Sequence, residues 1–297
     1  MAYYIVPSTE SAKILRSTAE TISVTFYSGE SAGDADGAVT VGIVDAAGDT
    51  VVAAGTATTS SGSGVYTYTL ASQTNLSELT ATWSGTFGGN AMEFTTQHAV
   101  VGGFYCTPSE VRAMTSISGE SSTFPTADIV RAINQAEQVI DDYTGVSFVY
   151  RYHRDVLDGT NTTDLRLTHM FPQTVIAGSI AGTALTATQI SNLNKYESGV
   201  IRLKDDIWEF ENPGGKCIVD YEAGVSKTPP EPISFVAKSL ARHTLLELIS
   251  RIPDRSTSLS TEFGNIQIAQ PGMNRPTGIP DLDTILNRYR HRAPTAF

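Results

Sequence analysis

The side chains of this chain that could carry acid–base chemistry are scattered, and their spacing argues against most of it. The pairs Asp141/Asp142, Asp205/Asp206 and Glu209/Glu211 have the residue types of a glycosidic acid and base. Asp141 and Asp142 are neighbours on a predicted helix and diverge by about 100°. Glu209 and Glu211 flank Phe210 on what reads as the solvated face of a strand. Asp34-x-Asp36-Gly37 starts like a calcium loop with Asp45 at its twelfth position. Its fifth position is Ala38 and its sixth is Val39, where that loop needs a ligand and a glycine. An acidic turn is the better reading. The histidines at 98, 153, 169, 243 and 291 never fall at metal-ligand spacing, and His243, beside an apolar stripe, reads as a core or interface residue. Gly-x-x-x-x-Gly-Lys, Gly-x-Ser-x-Gly and His-Glu-x-x-His are all missing, and Gly62-Ser-Gly64 is a loop. The expectation is no catalytic residue, no metal and no cofactor.

Behind these residues stands one dominant element, residues 232–252. Ile233, Val236, Ala237, Leu240, Ala241, Leu245 and Leu248 recur at helical spacing. Pro232 suits the first helical position and Pro253 stops the run. Val236, Leu240, Leu245 and Leu248 are expected to form the core side of this helix.

The chain has 297 residues, 40% apolar and 17% charged, with a net charge of −11. That length allows two domains with cores of their own. Residues 1–106 hold two basic and nine acidic side chains, 107–232 ten and seventeen, and 233–297 eight and five. Non-specific grip on nucleic acid needs clustered Lys and Arg, so the acidic balance disfavours it. Cys106 and Cys217 are too few for a disulfide framework and read as small buried side chains. The N-terminus lacks the pattern of a signal peptide, and no stretch approaches the ~18 apolar residues of a membrane span. Synthesis in the cytoplasm and no membrane contact are expected.

Residues 1–17 read as an arm whose Tyr3, Tyr4 and Ile5 must pack on something. From residue 18 to 103, short period-two runs such as Ile22-x-Val24-x-Phe26 and Val39-x-Val41-x-Ile43 alternate with Gly, Ser and Asp turns, the pattern of a β-sandwich with Trp83 as its core tryptophan. Thr107-Pro-Ser-Glu110 is a capping box opening a short helix. A second amphipathic helix, 126–143, ends at Gly145. Strands return at 146–152, 165–167, 175–185, 199–203, 207–210 and 217–221, predicting a small sheet before the long helix. The segment 253–280 is too long and irregular to belong to one compact domain, apart from a strand-like piece at 264–268. A last helix, 281–291, carries Leu282, Ile285, Leu286 and Tyr289. The tail 287–297, with Arg288, Arg290, Arg292 and Phe297, reads as a frayed end, as a docking peptide with Tyr289 and Phe297 anchoring and the arginines meeting acidic groups, or, on thinner support, as a DNA contact.

The pieces TPSEVRAM, IVRAINQAEQVIDDYTG, Gly199-Val-Ile-Arg-Leu203, Val219-Asp-Tyr221-Glu-Ala-Gly224, PISFVAKSLARHTLLEL and GIPDLDTILNRYRHR occur in an order that resembles the head-to-tail adaptor (connector) proteins of long-tailed bacteriophages. The first hundred residues resemble the immunoglobulin-like modules that phage structural proteins carry as additions. The resemblance implies an α+β chain of two domains: an all-β immunoglobulin-like sandwich at 18–103, and a helical adaptor domain at 104–297 with a small antiparallel sheet and an extended C-terminal arm. It further implies a non-enzymatic virion protein of the neck, in a ring usually of twelve copies that joins the portal protein to the stopper or tail-completion protein. DNA would pass through its channel unbound. Leu282, Ile285, Leu286 and Tyr289 would form the portal-docking helix, with Arg288, Arg290, Arg292 and Phe297 beside them. A competing reading makes the sandwich a saccharide- or receptor-binding module with Tyr66, Tyr68 and Trp83 as its platform, although alternation turns some of these inward.

Overall fold

Alternating apolar residues in the first hundred positions close into two sheets around one core. The computed structural model describes residues 3–8, 12–114, 117, 123–204, 206–209, 216–248, 258–261, 264–267 and 276–291. One sheet runs β1 (Tyr3–Pro7), β3 (Glu20–Ser28), β8 (Val65–Leu70), β7 (Thr59–Gly62), with β4 (Ser31–Ala32) also on β3. The other runs β2 (Lys13–Leu15), β10 (Asn90–Val101), β9 (Ser77–Phe87), β5 (Thr40–Asp45), β6 (Thr50–Ala57). Ile22, Val24 and Phe26 of the first sheet meet Val41, Leu79 and Trp83 of the second in a single buried cluster. Phe26 stacks on Phe87 at 4.4 Å and takes Tyr66 edge-on at 5.3 Å. Burial of each such side chain is worth roughly 1.5–3 kcal/mol. The fully buried Trp83 keeps its indole satisfied: Nε1 donates to Thr96 Oγ1 at 3.1 Å, which in turn meets His98 Nε2 at 2.8 Å.

The described part of residues 1–17 is paired into the sandwich sheets and is not a loose arm. β1 lies antiparallel on β3 and β2 parallel on β10. An open strand edge offers backbone groups that an adjoining segment satisfies, and Tyr3 and Ile5 pack against the sandwich core.

The chain divides into two units, and not at a single point. Met1–Gly103 group with Tyr150–Gly224, and Phe104–Val149 group with Val225–Phe297. The middle sheet, expected within a C-terminal domain, therefore belongs to the sandwich unit. It runs β11 (Arg151–Asp158), β17 (Lys216–Ala223), β13 (Pro172–Ile180), β14 (Thr183–Ala184), and a second small sheet runs β12 (Asp164–Arg166), β16 (Val200–Arg202), β15 (Asn194–Lys195). The two share a core that includes Leu165, Ile201, Cys217 and Trp208. Both cysteines are buried. The expected strand at 207–210 does not form over residues 207–209. Trp208 is instead held by the 161–163 turn, donating from its backbone N to Thr162 O and from Nε1 to Thr163 O. Phe210 lies outside the described residues.

The other unit is built from helices. α1 (Pro108–Arg112) starts at Thr107, whose hydroxyl accepts from Glu110 N while Glu110 accepts from Thr107 N. The Thr107 hydroxyl also donates to Glu110 Oε2 at 2.8 Å, and this bond, followed by the one from Thr107 N, holds the Glu110 carboxyl below its ordinary pKa. α2 (Thr126–Thr144) closes on Gly145 at φ 72°, a left-handed position that glycine takes without strain. α3 (Glu231–Leu248) and α4 (Pro280–Tyr289) complete the core, where Ile129, Ile140, Val236, Leu240, Leu245 and Leu286 meet. Leu248, expected among the core residues of α3, is 68% exposed. Its position around the helix is right, but the helix runs on past the side chains that cover Leu245. Within the segment 253–280, a hairpin of β18 (Ser258–Thr261) and β19 (Gly264–Gln267) is described; residues 253–257, 262–263 and 268–275 lie outside the described residues.

Gly64 has φ 74°, and a Cβ there would sit 2.7 Å from the backbone oxygens of Phe26 and Gly33. Gly64→Ala is expected to cost about 2 kcal/mol or more, from a strained φ and an immovable neighbour, read as a lower midpoint in urea unfolding.

Candidate functional site

The acidic side chains of the would-be calcium loop turn out to serve the backbone. Asp34 Oδ1 accepts from Gly64 N at 2.6 Å, Asp36 Oδ2 from Gly89 N at 2.7 Å, and Asp45 Oδ1 from Ala47 N and Asp49 N at 2.9 Å. The three carboxylates of the would-be calcium loop thus serve three different turns. Asp141 accepts from the Tyr105 hydroxyl, which itself accepts from Phe148 N at 2.7 Å. Burial raises that phenol well above its ordinary pKa, and the Asp141 charge raises it further. Glu137 is 1% exposed and accepts from Tyr105 N at 2.8 Å. Beside it the Cys106 thiol is pushed up to about 12 by burial and then by the Glu137 and Glu110 charges, so it is no nucleophile. Asp142, Asp206 and Glu209 are exposed, while Asp205 and Glu211 lie outside the described residues. Among the described residues, no group of three or more His, Cys, Asp or Glu side chains could hold a metal ion.

The closing helix spends its apolar face inside its own unit. Leu282 and Leu286 are buried in the helical core, and Ile285 and Tyr289 pack against it, Tyr289 edge-on to Phe148 at 5.6 Å. As portal-docking residues Leu282 and Leu286 are corrected, because the core covers them, while Ile285 and Tyr289 are covered in part. The frayed-end reading also fails as far as His291. Tyr143 donates to Asn287 Oδ1, the Arg290 guanidinium lies 4.9 Å from the Tyr143 ring centre, and His291 N donates to Thr144 O at 2.9 Å. What α4 offers outward is Asp281, Thr284, Asn287, Arg288, Arg290 and His291. Arg292 and Phe297 lie outside the described residues. His243 is exposed and 3.4 Å from Glu247, so it is not a core residue.

The saccharide platform is not formed. Trp83 and Tyr66 are buried, and the Tyr66 hydroxyl accepts from Ala35 N at 2.8 Å. Tyr68 is partly buried against the same core.

No local pattern announces a cluster that the middle sheet assembles around an open pocket of about 580 Å³ in the sandwich unit. His153 on β11 and His169, on the turn after β12, stack with ring centres 3.6 Å apart. His153 pairs across the ladder with Tyr221 of β17. The Tyr221 hydroxyl donates to Asp155 Oδ2 at 2.9 Å, so His169 Nδ1, 3.0 Å away, carries the proton and donates to the phenol oxygen. Burial pushes His153 down to about 3, with the His169 charge acting the same way, and burial also lowers His169. Burial, then the Asp155 charge, raises the Tyr221 phenol. Glu78, Thr80, Gln97, Tyr152 and Arg154 line the rest of the pocket. Thr80 donates to Gln97, and both Tyr152 and Arg154 are bound to Asp220. Histidines sixteen positions apart, one on a strand of one sheet and one on the turn after a strand of another, have no periodicity that reveals such a meeting.

No family model matches the chain, and no curated protein matches it. Among solved structures it is similar to a chain in the neck of an empty gene transfer agent particle: TM-score 0.44 and 16% identity, covering 64% of this chain and 91% of that one. It is likewise similar to a chain in the virion of a native gene transfer agent particle, with TM-score 0.40, 17% identity, and coverage of 64% and 89%. A DUF4785 family protein from Legionella pneumophila gives TM-score 0.24 at 11% identity, over 75% of this chain and 46% of its own.

Leu286→Ala removes a fully buried side chain and is expected to cost about 2–5 kcal/mol. Leu248→Ala should stay within about 0.5 kcal/mol. Thermal or urea unfolding of the two variants would separate them.

Proposed function

We propose that this chain is a structural subunit of a phage-type virion neck. In this reading, copies form a ring of twelve that joins the portal protein to the stopper or tail-completion protein, and the DNA passes through unbound. The observation that carries it is the helical unit. Four segments quoted for the resemblance, those containing α1, α2, α3 and α4, share one core although residues 150–224 separate the second from the third. The reading requires no chemistry, in keeping with acidic side chains committed to backbone turns and buried contacts. A net charge of −11 suits a conduit, since a lumen that repels phosphate does not hold DNA. The sandwich is read as an immunoglobulin-like addition to the neck subunit.

Portal contact is assigned to the outward side of α4, with Arg288 and Arg290 as its cations and Arg292 and Phe297 following. Truncation of 281–297 would strip Leu282 and Leu286 from the core and so destroy the fold along with the contact. The double variant Arg288→Glu/Arg290→Glu avoids this. It is expected to cost at most about 1 kcal/mol of stability, from the lost Arg290–Tyr143 contact, and to lose co-sedimentation with portal rings at low salt. Undiminished portal binding by the variant would remove the α4 assignment. Electron micrographs of the protein with its portal showing no ring would remove the neck reading itself.

A further inference from the structure

His153 Nε2 is one of two buried side-chain polar atoms without a hydrogen-bond partner among the described residues. Its ring lies face to face with His169 at 3.6 Å and 17°. Neutral imidazoles tolerate this contact; two imidazolium rings would place like charges against each other in a partly desolvated site. The surrounding groups do little to relieve such charge. Asp155 would favour it, but that carboxylate already accepts from Tyr221 and from Thr168 N. Arg151, on the same strand, opposes it. On β17 the facing group is Tyr221, which holds its proton. Arg154 and Tyr152 are tied to Asp220, and across the pocket Glu78 is exposed while Thr80 and Gln97 are uncharged.

We propose that the His153–His169 stack is an acid-released latch, which holds β11, the 167–171 turn and β17 together while both rings are neutral and lets this wall of the pocket open once they take up protons. The inference does not depend on the neck reading, since it concerns only the sandwich unit. Its direction follows from linkage. His153 is held at about 3 in the fold against an ordinary value near 6.5. The stability tied to its neutral form is therefore complete above pH ~6.5 and is lost as pH falls from there towards 3. For a single such group, an opening that exposes the ring becomes about 30-fold more favourable at pH 5 than well above pH 6.5.

Native-state hydrogen exchange on the intact chain reads this directly. After correction for intrinsic exchange, amides of β11 and β17 should open about 30-fold more readily at pH 5 than at pH 7.5, while those of α2 stay level. His153→Phe keeps a stacking ring that cannot ionise and sacrifices no partner at Nε2; the acceleration should fall at least tenfold in it. Equal acceleration in wild type and His153→Phe would overturn the latch. So would an NMR titration of the folded wild type in which His153 takes up its proton near pH 6.5, a measurement that stands even if the variant fails to fold.

Discussion

The antiparallel ladder between β11 and β17 is the constraint on which the rest of this architecture depends. It pairs Arg151 with Ala223 at one end and Asp158 with Lys216 at the other. The excursion of the chain through 150–224 is thereby returned to where it began. In the helical unit the consequence is local: Val149 bridges Ser226, and Val225 N donates to Ser147 O at 3.0 Å. Closing a long loop costs entropy that rises only slowly with length, but something must offset it before α2 and α3 can pack. A ladder of eight residues per strand does so with backbone hydrogen bonds and the apolar burial of Val219 and Tyr221.

β17 achieves this while carrying acidic side chains in a buried strand. Asp220 and Glu222 are 6% and 7% exposed, and each has its own arginine. Arg154 reaches both oxygens of Asp220 at 3.1 Å, and Arg16 reaches Glu222 at 2.9 and 3.1 Å. Ion pairs of this kind add little net stability over apolar residues of the same shape, yet removing one partner strands a buried charge. Their use here is positional. Arg16 lies just after β2, so its pairing with Glu222 ties the N-terminal segment to the middle sheet as well as to β10. That tie adds to the pairing of β1 and β2 in holding the described part of residues 1–17, where composition alone suggested an arm.

Local rules that act within a few residues were legible in the sequence: the reciprocal cap of Thr107 and Glu110, the left-handed stop at Gly145, the start at Pro232 and the inward phase of Ile22, Val24 and Phe26. Contacts made over long separations were not. Alternation places Trp83 and Tyr66 inward, but only the register of Val41 and Phe94 against Trp83 closes the core over them. Trp208 sits in a run that looks like a strand, and it is fixed by a turn forty-five residues earlier through its indole N–H. Leu248 keeps the helical period and still faces solvent, because periodicity reports an angle around an axis and not how far the covering side chains extend. The histidine stack depends on a cross-strand neighbour and on a turn that follows a strand of another sheet, neither of which leaves a mark in local spacing.

The same limit shapes what α4 has left to give a partner. An amphipathic helix at a chain terminus invites the idea that its apolar stripe is for docking, yet Leu282 and Leu286 are already spent on the core they complete. If the proposed contact is made at this helix, it would rest mainly on the exposed polar and cationic groups. Exposed ion pairs are worth at most about 1 kcal/mol each and weaken with salt. A single subunit with two such cations would hold an acidic surface poorly. In a closed ring the contact is repeated by symmetry, and once one subunit has bound, the others meet their sites at a high effective concentration. A weak, charge-based surface therefore suits a neck subunit better than it would suit a monomeric binding module, because assembly of the ring, not the strength of one contact, would decide when the partner is gripped.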